Sequence, residues 1–313
     1  MARGFLKGLL AGGLLLCIQW TPAAALEAQR VAPGVYVIPG IVGDPAPENR
    51  GRVVNIGFIV GRTGVTVIDS GANTLHGRAI LATIRRVTQK PVKLLIDTHP
   101  HPQNVLGNEA FAERGIPILA TKITAEKMNE RCPRCLENLT ASVGTEAMRG
   151  TRIALPQQTL DAKTILTVGG RQLRLIPTGW GHSEGDLAVL DIRTGTLFTA
   201  DLVYAGQIPH LSEARIEGWL AALDTLETLP ARRVVPGRGP VGISSRILGF
   251  RRYLQQLHDQ VAAAYHAGRT LDETLHQIDL PEFHDWQGYA ERHPLNIQHV
   301  WYEIERNDFP TTP

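Results

Sequence analysis

One stretch narrows the choice of fold more than any other: Thr98-His99-Pro100-His101-Pro102-Gln103-Asn104-Val105-Leu106-Gly107-Asn108. It follows an apolar run over residues 92–96 that reads as a buried strand. It precedes residues 109–114, which read as a short helix closed by Gly115. Two histidines two positions apart at the end of a strand can turn both imidazoles toward one point. A zinc ion takes neutral nitrogen ligands of this kind, about four of them, at roughly 2.0–2.1 Å. The plainer reading is a pair of solvated loop histidines, because short motifs also occur by chance.

The flanking pattern predicts a layered fold. Residues 31–38 alternate as a strand and end in Pro39-Gly40. Residues 41–52 are a loop rich in Gly, Pro and charge. Residues 53–60 and 65–68 are β-branched runs joined by Gly61-Arg62-Thr63-Gly64, a hairpin. Residues 75–87 show helical spacing. Residues 116–120 read as a strand and 124–139 as a helix; 140–163 are irregular, with a short strand at 152–155. Two further hairpins surround Gly169-Gly170 and Arg193-Thr194-Gly195. An amphipathic helix over 213–229 precedes a final short strand at 233–235. The rest is helical, over 244–267, 270–278 and 286–304. Strand and helix runs thus appear twice in similar order, which suits two sheets with helices outside them.

The first 25 residues read as a secretory leader. Arg3 and Lys7 charge its start, residues 8–18 are apolar, and Pro22-Ala23-Ala24-Ala25 supplies small residues, with cleavage simplest after Ala25. The apolar run falls short of the ~20 residues a spanning helix needs. The expected product is exported, periplasmic or secreted, without stable membrane anchoring. Loss of the leader removes Arg3 and Lys7 and no acid, so the 32 basic residues fall to the number of acidic ones, 30. No basic excess remains to draw phosphate, which argues against a nucleic-acid partner.

Three other places end strands with polar residues: Thr178 to Asp186 around Gly181-His182-Ser183, Asp201 after Leu197-Phe198-Thr199-Ala200, and Pro236-Gly237-Arg238-Gly239-Pro240. Singly, each has a plain reading as a turn, a cap or a surface loop. As an ordered set with His99 and His101, they resemble the metallo-β-lactamase superfamily over most of residues 30–240. That resemblance implies an αββα sandwich of two β-sheets with helices on the outside. It divides the chain into a leader (1–25), the sandwich (26–240) and a helical C-terminal extension (241–313) packed on the same domain. Asp69 with Gly71 matches the family's early Asp-x-Gly turn. The text from Asn49 to Val60, and Ile208-Pro209 before Gly218-Trp219-Leu220, is similar to periplasmic proteins called quinoprotein relay system zinc metallohydrolases. Association with a periplasmic quinoprotein dehydrogenase system is therefore implied as well.

By the same resemblance His99, His101 and His182 are ligands of a first zinc, and Asp201 is the carboxylate that bridges to a second. The other ligands of the second metal are replaced: Gln103 stands for Asp, Asn104 for His and Arg238 for His. Amides are neutral and a guanidinium has no lone pair to give. The expectation is one zinc per chain, with Arg238 placing a fixed charge where the second metal would lie and pairing with Asp201. Asp201 and Arg238 are the catalytic candidates.

Two readings follow. In one, the chain is a mono-zinc hydrolase of an ester, thioester, lactone or lactam carbonyl in a small molecule. In the other, it is a catalytically degenerate zinc- or ligand-binding accessory of a periplasmic oxidation system. Redox chemistry at Cys132-Pro133-Arg134-Cys135 ranks below both, since these cysteines fall inside a helical stretch and an exported chain favours a structural disulfide between them. Trp180 and His210 are further candidates to line a pocket. The histidines of the helical tail, His258 to His299, lack ligand spacing and read as solvated.

Overall fold

The β-branched runs assemble into two sheets. A computed structural model of the chain describes Met1 and residues 26–309. The expected leader therefore lies outside the described residues, apart from Met1. The first sheet takes β1 (Gln29–Ala32), β2 (Val35–Ile38), β3 (Ile56–Val60), β4 (Val65–Ile68), β5 (Val92–Ile96), β6 (Ile118–Thr121) and β7 (Gln158–Leu160) in chain order. Its first four strands are antiparallel and the rest pair in parallel. Parallel neighbours need crossovers. α1 (Thr74–Val87) supplies one, α2 (Pro102–Val105) with α3 (Glu109–Ala112) the next, and α4 (Lys122–Val143) the third.

The second sheet has the order β12-β11-β10-β9-β8, built from β8 (Thr164–Val168), β9 (Arg171–Trp180), β10 (Glu184–Asp191), β11 (Thr196–Tyr204) and β12 (Arg233–Arg238). Only β11 and β12 are parallel, joined through α5 (Ile216–Glu227). The chain ends in α6 (Ser245–His266), α7 (Leu271–Gln277) and α8 (Tyr289–Asp308).

Strand alternation sorts the side chains into layers. Leu94 and Ile96 of β5 point between the sheets, where they meet Leu173, Leu175, Leu187, Val189 and Phe198. Leu95 points the other way, into a layer with Ile80 and Ile84 of α1 and Phe111 of α3. Ala188 and Leu190 of β10 face outward onto Trp219 and Leu223 of α5, Phe250 and Leu257 of α6, and Val300 of α8. The result is the expected αββα sandwich, and α6 to α8 share one core with the second sheet. Among the described residues no helix is long and apolar enough to cross a membrane.

Several expectations need correction. Residues 31–38 are not one strand: Gly34, at φ 76°, turns the chain between β1 and β2. Residues 152–155 form no strand, and β7 lies just beyond them. β9 and β11 run further than their apolar runs suggested, so Asp201 sits within a strand. His293 is not solvated. It is 3% exposed and stacks on Tyr289 at 4.5 Å.

The expected Cys132–Cys135 disulfide is absent. Both are free thiols on α4, which continues through Pro133. Cys132 is buried and points into a cluster with Val105, Met128 and Leu139. A hydrogen bond between the two thiols raises Cys132 and lowers Cys135 to about 7.

Candidate metal centre

The centre forms where strand ends of both sheets meet. Directly after β4, Asp69 takes a left-handed φ of 62° and is 2% exposed. Its carboxylate accepts from Thr98 N (2.9 Å), Thr98 Oγ1 (2.9 Å) and Asn104 Nδ2 (2.8 Å). It therefore ties the polar stretch after β5 back to β4. Burial pushes the Asp69 carboxyl up to about 7, against the pull of these donors. Thr98 Oγ1 also lies 2.9 Å from His99 Nδ1. With Thr98 donating to Asp69, its oxygen accepts the Nδ1 proton, and the His99 Nε2 lone pair is left free. That atom is buried and has no hydrogen-bond partner.

His182 lies in the turn between β9 and β10. Asp186 closes this turn by accepting from Ser183 N (3.0 Å) and Ser183 Oγ (2.6 Å). The Gly185 carbonyl, at φ 108°, accepts from Thr121 and Thr124 at the start of α4. Trp219 packs edge-on against the His182 ring at 5.1 Å. His182 Nε2 stands 2.9 Å from His101 Nδ1. One ligand atom from each of His99, His101 and His182 lies within 4.8 Å of the others. The three rings meet edge to face with centroids 4.7–5.1 Å apart.

This donor set fits a zinc-type metal. Burial first, then neighbouring cations, lowers His99 to about 3 and takes His182 well below the usual imidazole range. Both are therefore neutral near pH 7, as ligands must be. A buried His99 nitrogen without a partner, aimed at two other ring nitrogens, is a cost that a cation would remove.

Asp201 borders the cluster. It follows Ala200, whose φ is 47°. Asp201 Oδ2 lies 3.8 Å from His182 Nε2, accepts from Tyr204 OH (2.9 Å) and takes Arg238 Nε at 3.4 Å. Burial raises its carboxyl, but Arg238, His99 and the Tyr204 hydroxyl outweigh this and hold it below the usual range. Arg238, the last residue of β12, is 2% exposed and is no surface loop residue. It lies over the Tyr204 ring at 5.3 Å, and its Nη1 is buried without a partner. Gly237 makes room for the pair, since a Cβ there would sit 2.1 Å from Asp201 Oδ1. Gln103 and Asn104 lie on α2; Asn104 Nδ2 donates to Asp69, while its Oδ1 is buried without a partner.

Glu213 escaped the sequence reading, while Trp180 and His210 were candidates to line a pocket. Glu213 Oε2 is 3.6 Å from His101 Nε2, and this contact, opposed by partial burial, holds the Glu213 carboxyl down at about 2. Trp180, 39% exposed at the rim, donates from Nε1 to the Glu213 carbonyl (2.8 Å) and carries Arg215 over its ring at 4.3 Å. His210 is exposed and pairs with Asp44 at 2.9 Å. Nothing local in the sequence marks Glu213 or Tyr204, because their partners come from distant strands and helices.

Residues 49–238 match the description of the metallo-beta-lactamase superfamily. The chain belongs to this superfamily. It is 21% identical to a linear primary-alkylsulfatase of Pseudomonas sp. over 259 residues, which cover 70% of this chain but only 48% of that relative. It is 25% identical to a type 2 metallo-beta-lactamase of Bacillus sp. over 211 residues, covering 66% of this chain and 72% of the relative. The fold is also that of the stereoselective inverting sec-alkylsulfatase Pisa1 from Pseudomonas sp., with a TM-score of 0.70 and 18% identity. That likeness covers 92% of this chain and 52% of the sulfatase, so it takes in helices beyond the sandwich.

Proposed function

We propose that this superfamily member is an exported mono-zinc hydrolase. His99, His101 and His182 hold the metal, Asp201 orients the attacking water, and Arg238 receives an anionic group of the substrate or the developing oxyanion. The substrate is a small molecule carrying an ester, thioester, lactone or lactam carbonyl. The observation that carries this reading is the convergence of three ring nitrogens beside a buried Asp201–Arg238 pair. A zinc ion there supplies Lewis-acid polarisation of the carbonyl and activation of water.

The chain's own groups do the rest. Asp201, ionised and buried, is a weak base but a fixed acceptor for a water proton, held by Tyr204 and Arg238. Arg238 Nη1, desolvated and unpartnered, is a donor waiting for an acceptor. The fixed Arg238 charge beside Asp201 supports a second metal site that is degenerate at Gln103, Asn104 and Arg238.

The same replacements favour the second reading, a catalytically inactive zinc- or ligand-binding accessory of a periplasmic quinoprotein dehydrogenase system. Elemental analysis of the exported protein beside His101→Ala comes first, with about one zinc expected and its loss in the variant. A screen of esters, thioesters, lactones, lactams and alkyl sulfates then separates the readings. Turnover abolished by Asp201→Ala supports the hydrolase. One tightly held zinc without turnover supports the accessory. Normal turnover by Asp201→Ala would sink the mechanism.

A further inference from the structure

We infer that Glu213 is a positioning residue: its carboxylate faces the Nε2–H of His101 and keeps Nδ1 of that ring turned toward the metal. The inference rests on the three-histidine reading of the site. His101 is the most accessible of the three, with a side chain 17% exposed against 3% for His182. Burial and Thr98 fix His99, and the packed turn and Trp219 fix His182. His101 touches the other two rings, with Nδ1 2.9 Å from His182 Nε2, and what faces its outer nitrogen is Glu213 at 3.6 Å.

Glu213 is itself held at both ends. Arg131 of α4 donates from Nη1 to Glu213 Oε2 (2.8 Å) and from Nη2 to Glu184 Oε1 (2.8 Å). Glu184, two residues past His182, also pairs with Lys127 at 3.2 Å. The Glu213 carbonyl accepts from Trp180 Nε1. One helix thus clamps a carboxylate beside each of two histidine loops. A carboxylate on the far side of a ligating imidazole fixes its tautomer, orients the ring and raises its basicity, and losing it typically weakens metal binding about 10–100-fold.

The test uses the full chain and zinc alone. Zinc affinity is read by competition with a chromogenic chelator, and the His101 ring tautomer by 15N NMR of the metal-free protein. Glu213→Ala should bind zinc about 10–100-fold more weakly and lose the uniform Nε2–H form of His101. Glu213→Gln, whose amide oxygen still accepts, should recover part of both. If Glu213→Ala does not fold, Arg131→Met, which loosens the carboxylate without removing it, should weaken zinc binding by a smaller factor. Zinc affinity in Glu213→Ala within twofold of the parent, with the His101 tautomer unchanged, overturns the inference; so does parental affinity in Arg131→Met. A parent chain that binds no zinc at all overturns the metal reading, and the tautomer readout then still decides whether Glu213 sets the His101 proton.

Discussion

Replacing Arg238 with Met tests the electrostatics of the centre directly. Asp201 and Arg238 are 1% and 2% exposed, so neither charge is relieved by solvent. Removing one member of a buried pair strands the other and costs about 3–5 kcal/mol. Met fills much of the arginine's volume, so packing should add less than about 1.5 kcal/mol. Among the described residues only Tyr204 OH would still donate to Asp201 Oδ2. In metal-free protein at pH 7, urea unfolding should therefore show Arg238→Met less stable by roughly 3–5 kcal/mol. Asp201→Asn with Arg238→Met removes both charges and should recover about 2–3 kcal/mol of that loss. The pH dependence has a definite sign. Arg238 lowers the folded pKa of Asp201, so the pair's contribution is present above the unfolded carboxylate pKa and is lost as pH falls through the folded one. The gap between parent and Arg238→Met should narrow in acid, where Asp201 is protonated in the variant. A single variant within about 0.5 kcal/mol of the parent, below the usual scale of such losses, would refute the argument. So would a gap that stays constant from pH 7 into acid.

Other outcomes follow from the same structure. Asp69 has its folded pKa raised from 3.8 to about 7, so its contribution is full below the unfolded value and is lost as pH rises through 7. Unfolding profiles of the parent and Asp69→Asn should diverge between pH 4 and 7 by up to about 4 kcal/mol; parallel profiles would contradict this. Arg171 donates twice to buried Asp191 and once to the Pro33 carbonyl, so Arg171→Met should cost about 3–5 kcal/mol in urea unfolding. With Cys17 changed to Ser, a thiol reagent at pH 8 should react in one fast and one slow phase. Cys135→Ser should abolish the fast phase, because the half-buried Cys135 is lowered to about 7 while Cys132 is buried and raised. Restoring Gln103→Asp, Asn104→His and Arg238→His together should raise zinc from about one to about two per chain, read by elemental analysis.

What could be read from the sequence is what is local. Strand runs ending in polar residues announced the sandwich, because alternation and turn residues act over a few positions. His99, His101 and His182 could be named because the ordered set of motifs resembles that of the superfamily, and the structure brings all three together. The element ends were less legible. β11 continues through the polar Asp201 to Tyr204, because pairing with β12, itself bulged around Ala200, decides where a strand stops. Glu213 and Arg131 were invisible for a different reason. Both read as ordinary charged helix residues, and only the approach of α4 to the loop before α5 turns them into a clamp on His101. His293 failed in the opposite direction: its spacing suggested solvent, but α6 and Tyr289 enclose it.

The distance between Asp201 and Arg238 also bears on how many metals such a centre can hold. A buried carboxylate needs a cation close by, or its pKa rises until it is neutral. Tyr204 OH alone is a neutral donor and does not supply that charge. Arg238 does, through Nε on Oδ2 at 3.4 Å. A divalent ion brought to the same carboxylate would stand against a guanidinium that cannot lose its proton. One carboxylate cannot offset both cations when it and the guanidinium are as buried as Asp201 and Arg238. Arg238 and a second metal are thus alternatives for the charge of Asp201. A metal on the three imidazoles would border Asp201 from the side of His182, whose Nε2 lies 3.8 Å from Oδ2, and leave the Arg238 contact in place.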